Sequence, residues 1–254
     1  MNNNYKENIK SFFRYFDHIL DQALTKINVA QDTALFQVLI CSGIIDTLAK
    51  CSASPNFNNY ERFTEFIKNF CNWKEHSKIS LPHLVRLLQI IPSPEFEELR
   101  KFAYEKIDTW KNGEIIYIER DPDYKEVYKL WPKDNKLKEP IEKVSLESLK
   151  HLSLLWKLRN SIVHEMRTLG YGTNALVTLD PGYHQMANYK DVKADDPLRT
   201  WELVYPIRFF KRIIRNGIKN LNEYYLKNRL DPFDRFEFGS FWIAEFNKGF
   251  DSRR

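Results

Sequence analysis

The sequence predicts a mainly α-helical domain, a helical bundle interrupted by β-hairpin insertions. Three observations predict it. Apolar residues recur at helical spacing through the first third of the chain. Long amphipathic segments follow Ser145 and Pro206. Between them, about 112–140 and 170–200 read as insertions, with short β-branched and aromatic runs around turn signals.

Tyr5 to Thr25 places Ile9, Phe12, Phe13, Phe16, Ile19, Leu20 and Leu24 at helical spacing. Ala34 to Lys50 is apolar nearly all round, which predicts a central buried helix. Ser52 to Asn56 reads as a loop. Tyr60 to Phe70 and Leu81 to Ile91 predict shorter helices, and Pro92-Ser93-Pro94 breaks the chain before a helix over Glu95 to Trp110. Asn112-Gly113 ends that helix. Glu114 to Ile118 and Lys125 to Leu130 then read as two strands around the turn Asp121-Pro122-Asp123. Lys133 to Pro140 reads as a charged loop. Ser145 has the character of an N-cap for a helix reaching about Leu169, where Gly170 and Gly172 stop it. A second hairpin is expected near Thr178 to Gly182. Trp201 to Tyr205 leads to a final helix with Pro206 in its first turn, running to about Arg229. One domain over 1–230 is expected, with the aromatic tail 231–254 packing back onto it.

The 254 residues carry a net charge of +5, with 43% hydrophobic and 15% aromatic residues. Such a chain can form a sizeable core. No apolar run approaches the roughly 20 residues of a membrane span, so no membrane partner is expected. The polar N-terminus does not read as a signal peptide. Cys41, Cys51 and Cys71 form no CxxC pair, which argues against a disulfide framework or a structural zinc and suits a reducing cytoplasm. His18, His76, His83, His151 and His184 show no metal-ligand spacing and read as surface or loop residues. No phosphate-binding glycine loop is present, and no cofactor or metal is expected. Tyr183 and Tyr189 are candidates for base stacking, with packing the plainer use.

The chemically suggestive segment is Leu158-Arg159-Asn160-Ser161-Ile162-Val163-His164-Glu165. Arginine can hold a phosphate and the charge that develops on it, and histidine can move a proton. On a helical wheel His164 shares a polar face with Lys157, Asn160 and Arg167. Arg159 lies about 140° away, among Leu152, Leu155, Val163 and Met166. A guanidinium on an apolar arc needs a carboxylate. Asp46, the lone acid of Ala34 to Lys50, is the candidate orienting partner.

The Arg-Asn-x-x-x-His spacing resembles the signature of HEPN domains, the helical RNases and nucleotide-binding modules of prokaryotic conflict systems. The position of the motif, late among the helices, and the phrase Trp201 to Pro206 before the last helix resemble larger HEPN proteins with strand insertions, which implies a HEPN-like up-and-down helical bundle. The resemblance implies metal-independent endoribonuclease chemistry. Arg159, Asn160 and His164 would form its centre, in a homodimer whose two motif helices line one cleft. It also implies a bacterial toxin or antiviral-defence setting, with a neutralising partner protein.

The last helix supplies an RNA-contact stripe. Arg208, Lys211, Arg212, Arg215 and Lys219 fall on one arc, opposite Phe210, Ile213, Ile214, Ile218 and Leu221. Lys157 and Arg167 are further candidate phosphate contacts. Alternative readings stay open from sequence. The chain suits a non-catalytic module binding a nucleotide, RNA or partner protein, and a charge run can equally be a solvated face. In a purely structural reading, the aromatic tail binds a partner and the motif does nothing.

Overall fold

The computed structural model describes residues 5–29, 32–111, 113–141, 143–169, 179–185 and 201–236. It is mainly helical, with a small sheet whose strands lie between the fifth helix and the last one. The expected elements on 170–178 and 186–200 lie outside the described residues, as do Tyr189 and the tail beyond Phe236.

The N-terminal helices follow the apolar periodicity. Helix α1 (Tyr5–Lys26) buries Ile9, Phe12, Phe13, Phe16 and Leu20. Helix α2 (Thr33–Ser52) is central, packing against α1, α3, α7 and α8. It corrects one expectation, because it is long and apolar enough to cross a membrane by length and composition. Here its apolar surface is used instead to bury Val38, Cys41, Ile44, Ile45 and Leu48 among neighbouring helices. Helix α3 (Asn59–Phe70) starts at a reciprocal cap: Glu61 N–H donates to Asn58 Oδ1 and Asn58 N–H donates to Glu61. Helices α4 (Leu81–Ile90) and α5 (Glu97–Ile107) follow, the latter entered through a 3-10 turn at Pro94.

The stretch 112–140 is not a hairpin. Only Ile116–Tyr117 is a strand (β1), and Lys125 to Leu130 lies in helix α6 (Tyr124–Leu130). The apparent alternation loses to local chemistry. Glu126 accepts the Asp123 N–H at the helix start, and Tyr124 and Tyr128 stack one turn apart at 5.6 Å. Strand β1 pairs antiparallel with β2 (Gly182–Gln185), which pairs antiparallel with β3 (Trp201–Val204). The two expected insertions therefore meet in one three-stranded sheet, order β1-β2-β3.

The motif helix is shorter than expected at both ends. Ser145 caps only a 3-10 turn over Leu146–Leu149. The chain then extends at Lys150, where Ser80 N–H donates to Leu149 O and His151 N–H to Lys78 O. Helix α7 (His151–Glu165) begins after that pairing. It ends at Met166, whose φ of 52° is left-handed, four residues before the glycine expected to stop it. Ser161 Oγ donates to Arg167 O and secures the end.

A buried polar cluster ties the sheet to α7. His151 is fully buried, not on the surface as its lack of ligand spacing suggested. Its Nε2 lies 2.6 Å from Asp121 Oδ2 and its Nδ1 3.0 Å from Tyr205 Oη. Tyr183, also fully buried rather than free to stack a base, donates to Asp121 Oδ2. Leu81 N–H donates to Asp121 Oδ1, so the same carboxylate holds the start of α4.

Helix α8 (Ile207–Asn228) closes the bundle against α1, α2 and α3. Tyr225 Oη donates to Cys51 O of α2. At Gly217 the helix backbone meets α3 so closely that a Cβ would lie 2.5 Å from Phe66 Cζ. Beyond it, Phe233 and Phe236 pack on Phe12, as expected for the described start of the tail.

Candidate active site

Helix α7 places Trp156, Arg159, Asn160 and His164 along one flank, against α2 and α3. The Arg159 side chain is 12% exposed and that of Asp46 31%. Arg159 Nε donates to both Asp46 oxygens at 3.2 and 3.0 Å, and Nη2 donates to Asp46 Oδ2. This two-pronged ion pair is the contact expected from the apolar position of each residue.

The rest of the guanidinium is also held. Nη1 donates to Asn160 Oδ1 at 2.8 Å and faces His164 Nε2 at 3.2 Å. Its plane lies 5.0 Å over the Trp156 ring. Trp156 in turn packs against Tyr60 and Phe63 of α3. An Nη1 group can only donate, so Nε2 accepts and the ring carries its proton on Nδ1 in this arrangement. That leaves an exposed imidazole with a proton-accepting nitrogen beside a fixed cation. An oxyanion entering here would take over Nη1 and free Nε2 to receive a proton.

The wheel separated Arg159 from His164, and the structure joins them because the arginine side chain reaches along the helix end. Two other candidate phosphate contacts, Lys157 and Arg167, sit apart from the recess beside Arg159. Lys157 is exposed on α7. Arg167 lies past the end of α7, so it is not a turn above His164, and it pairs with Glu165 at 2.5 Å.

The stripe on α8 is present, with Arg208, Arg212, Arg215 and Lys219 exposed and Lys211 half-buried. Its surroundings are not purely basic. Arg212 pairs with Asp180, and Arg215 with Asp21 at 2.8 Å. Sequence reasoning missed the facing ladder on α1: Lys6, Lys10 and Arg14 line a groove with Arg215 and Lys219. Their i, i+4, i+8 spacing was a usable signal.

Missed as well were two cations that share a recess with Arg159. Lys50, one turn after Asp46 on α2, and Arg62 of α3 line the recess next to Arg159, with Thr47 and Asn59. Only the pairing of α2 with α3 brings them there. Among the described residues, no group of three or more His, Cys, Asp or Glu is placed to hold a metal ion. No protein-family model, curated protein or solved structure significantly matches the chain.

Proposed function

We propose that the protein is a metal-independent endoribonuclease centred on Arg159, Asn160 and His164. The observation that supports it is the Arg159 guanidinium, anchored by Asp46 and directed at both Asn160 Oδ1 and His164 Nε2. His164 Nε2 takes the proton of a ribose 2′-hydroxyl as its oxygen attacks the adjacent phosphorus. The O2′–P bond forms, the P–O5′ bond breaks, and the departing 5′-oxygen is protonated. The products are a 2′,3′-cyclic phosphate and a 5′-hydroxyl. Arg159 stabilises charge on the phosphate oxygens, and Asn160 holds the guanidinium in register.

In this reading a second copy of the chain brings a second His164 to the cleft as the acid. The α1–α8 groove tracks the rest of the RNA backbone. The toxin or defence setting and the neutralising partner rest on the HEPN resemblance alone.

Cleavage of end-labelled total RNA with EDTA present, wild type beside His164→Ala, tests the reading. The variant is expected to lose about 10²–10⁴-fold in rate. Equal cleavage by both folded proteins overturns the mechanism. One observation favours a non-catalytic module instead: Asp46, Asn160 and His164 already occupy most donors of Arg159. Salt-dependent RNA binding without turnover is its expected result.

A further inference from the structure

The recess beside Arg159 holds more positive charge than the proposed chemistry uses. Asp46 is matched by Arg159. Lys50 and Arg62 have no carboxylate partner among the described residues, and both line the same recess. Arg62 is held in place, because Nη2 donates to Pro55 O at 2.7 Å. That contact uses one of its five donors and leaves the others for a ligand. Lys50 lies exposed at the end of α2, with Nζ 4.9 Å from the Phe236 ring. Asn59, at the first turn of α3, adds a polar side chain beside the positive end of that helix. Glu61, the nearby acid of that turn, is turned to the Asn58 N–H.

We propose that Lys50 and Arg62 form a second phosphate subsite, which binds the phosphodiester next to the one held by Arg159. The substrate is then a polynucleotide strand engaged at two consecutive phosphates, not a mononucleotide. The fixed Arg62 guanidinium supplies planar recognition of phosphate oxygens, and Lys50 supplies a mobile point charge. Two guanidinium anchors held by protein acceptors, Arg159 by Asp46 and Arg62 by Pro55, set the separation of the two subsites. This inference rests on the ribonuclease reading of Arg159 and His164.

The test is equilibrium binding of a fluorescent single-stranded 12-mer RNA and, separately, of tripolyphosphate, each over a range of salt. Lys50→Gln/Arg62→Gln is expected to weaken RNA binding by about tenfold and to lower the log–log salt slope by about 1.4, two contacts at about 0.7 each. Tripolyphosphate binding falls in parallel. Lys50→Glu alone, at an exposed helix end, leaves the Pro55 contact intact and keeps the test valid if the double variant misfolds. It too is expected to weaken both probes.

Unchanged affinity and slope in the folded variants overturn the subsite, even where the wild type cleaves RNA. Tripolyphosphate binding that depends on Lys50 and Arg62, with no RNA binding by the wild type, leaves an anion subsite and overturns its assignment to a polynucleotide. That last result also removes the ribonuclease reading.

Discussion

Arg159 directs Nη1 at His164 Nε2 across 3.2 Å, although the residues lie five positions apart on a helix that separates their Cβ directions. The contact depends on where the guanidinium is pinned. Asp46, 113 residues earlier, takes the Nε and Nη2 edge and leaves Nη1 for the histidine.

Asp46→Asn removes that pin. The expected loss is about 1–2 kcal/mol of stability, below the figure for a wholly buried pair because Asp46 keeps 31% of its side chain in water. Urea unfolding measures it. On the proposed ribonuclease reading, a positioning role adds a fall in kcat for RNA cleavage at similar KM, with partial rescue by Asp46→Glu. Stability loss with kcat intact leaves Asp46 a purely structural residue.

Gly217→Ala inverts a familiar rule. In an open helix the change gains about 1 kcal/mol. Here the new methyl would meet Phe66 Cζ at 2.5 Å, so α8 and α3 must part or the ring must shift. A net destabilisation of about 1–3 kcal/mol is expected in thermal or denaturant unfolding. A rise in stability shows that the α3–α8 seam yields freely.

Met166→Gly goes the other way. Met166 ends α7 at φ 52°, where a Cβ is crowded and glycine is not. After glycine's greater chain entropy is set against that relief, about 0.5–1 kcal/mol is gained. For a chain of this length the melting temperature rises by about 1–4 °C. No rise locates the end of α7 elsewhere.

The cysteines set an alkaline limit. Burial pushes the Cys41 and Cys51 thiols up from the usual 9.0 to about 12, and Cys71 well above its usual value for the same reason. The folded protein keeps these protons while the unfolded chain releases them. Stability from this source is full below pH 9.0 and falls as pH rises towards 12. At pH 8 the native protein is expected to give no thiol reaction with Ellman's reagent, and all three cysteines to react in guanidinium. Rapid native reaction contradicts the burial.

The helices were legible wherever the apolar period was clear, as in α1, α3 and α8. Asp46 and Arg159 were legible as partners because each was a charge on an apolar arc. What escaped was set by distant pairing. Lys125 to Leu130 alternates like a strand but is coiled by the Asp123–Glu126 start and the Tyr124–Tyr128 stack. The single helix expected from Ser145 to Leu169 is broken at Lys150 by the bridge to Ile79, a contact no local pattern announces. His151 read as a loose surface histidine because its partners, Asp121 and Tyr205, come from two other parts of the chain. Lys50 and Arg62 belong to no sequence motif, and only the packing of α2 on α3 brings them beside Arg159.

The three-stranded sheet also governs how far this protein can be reduced. Asp121 holds the first residue of α7, the start of α4 and Tyr183 of β2 with a single carboxylate. A shortened version that keeps the other helices and drops 112–140 would leave His151 Nε2 and the Leu81 N–H in the interior without their shared carboxylate, and Tyr183 with Ser80 Oγ alone. Each orphaned group is worth about 1–3 kcal/mol, against a typical total of about 5–15 kcal/mol for a folded domain. Modularity therefore runs against the grain of this chain. The segments that look like ornaments on a bundle are its keystone, and a smaller working protein has to carry a replacement for Asp121.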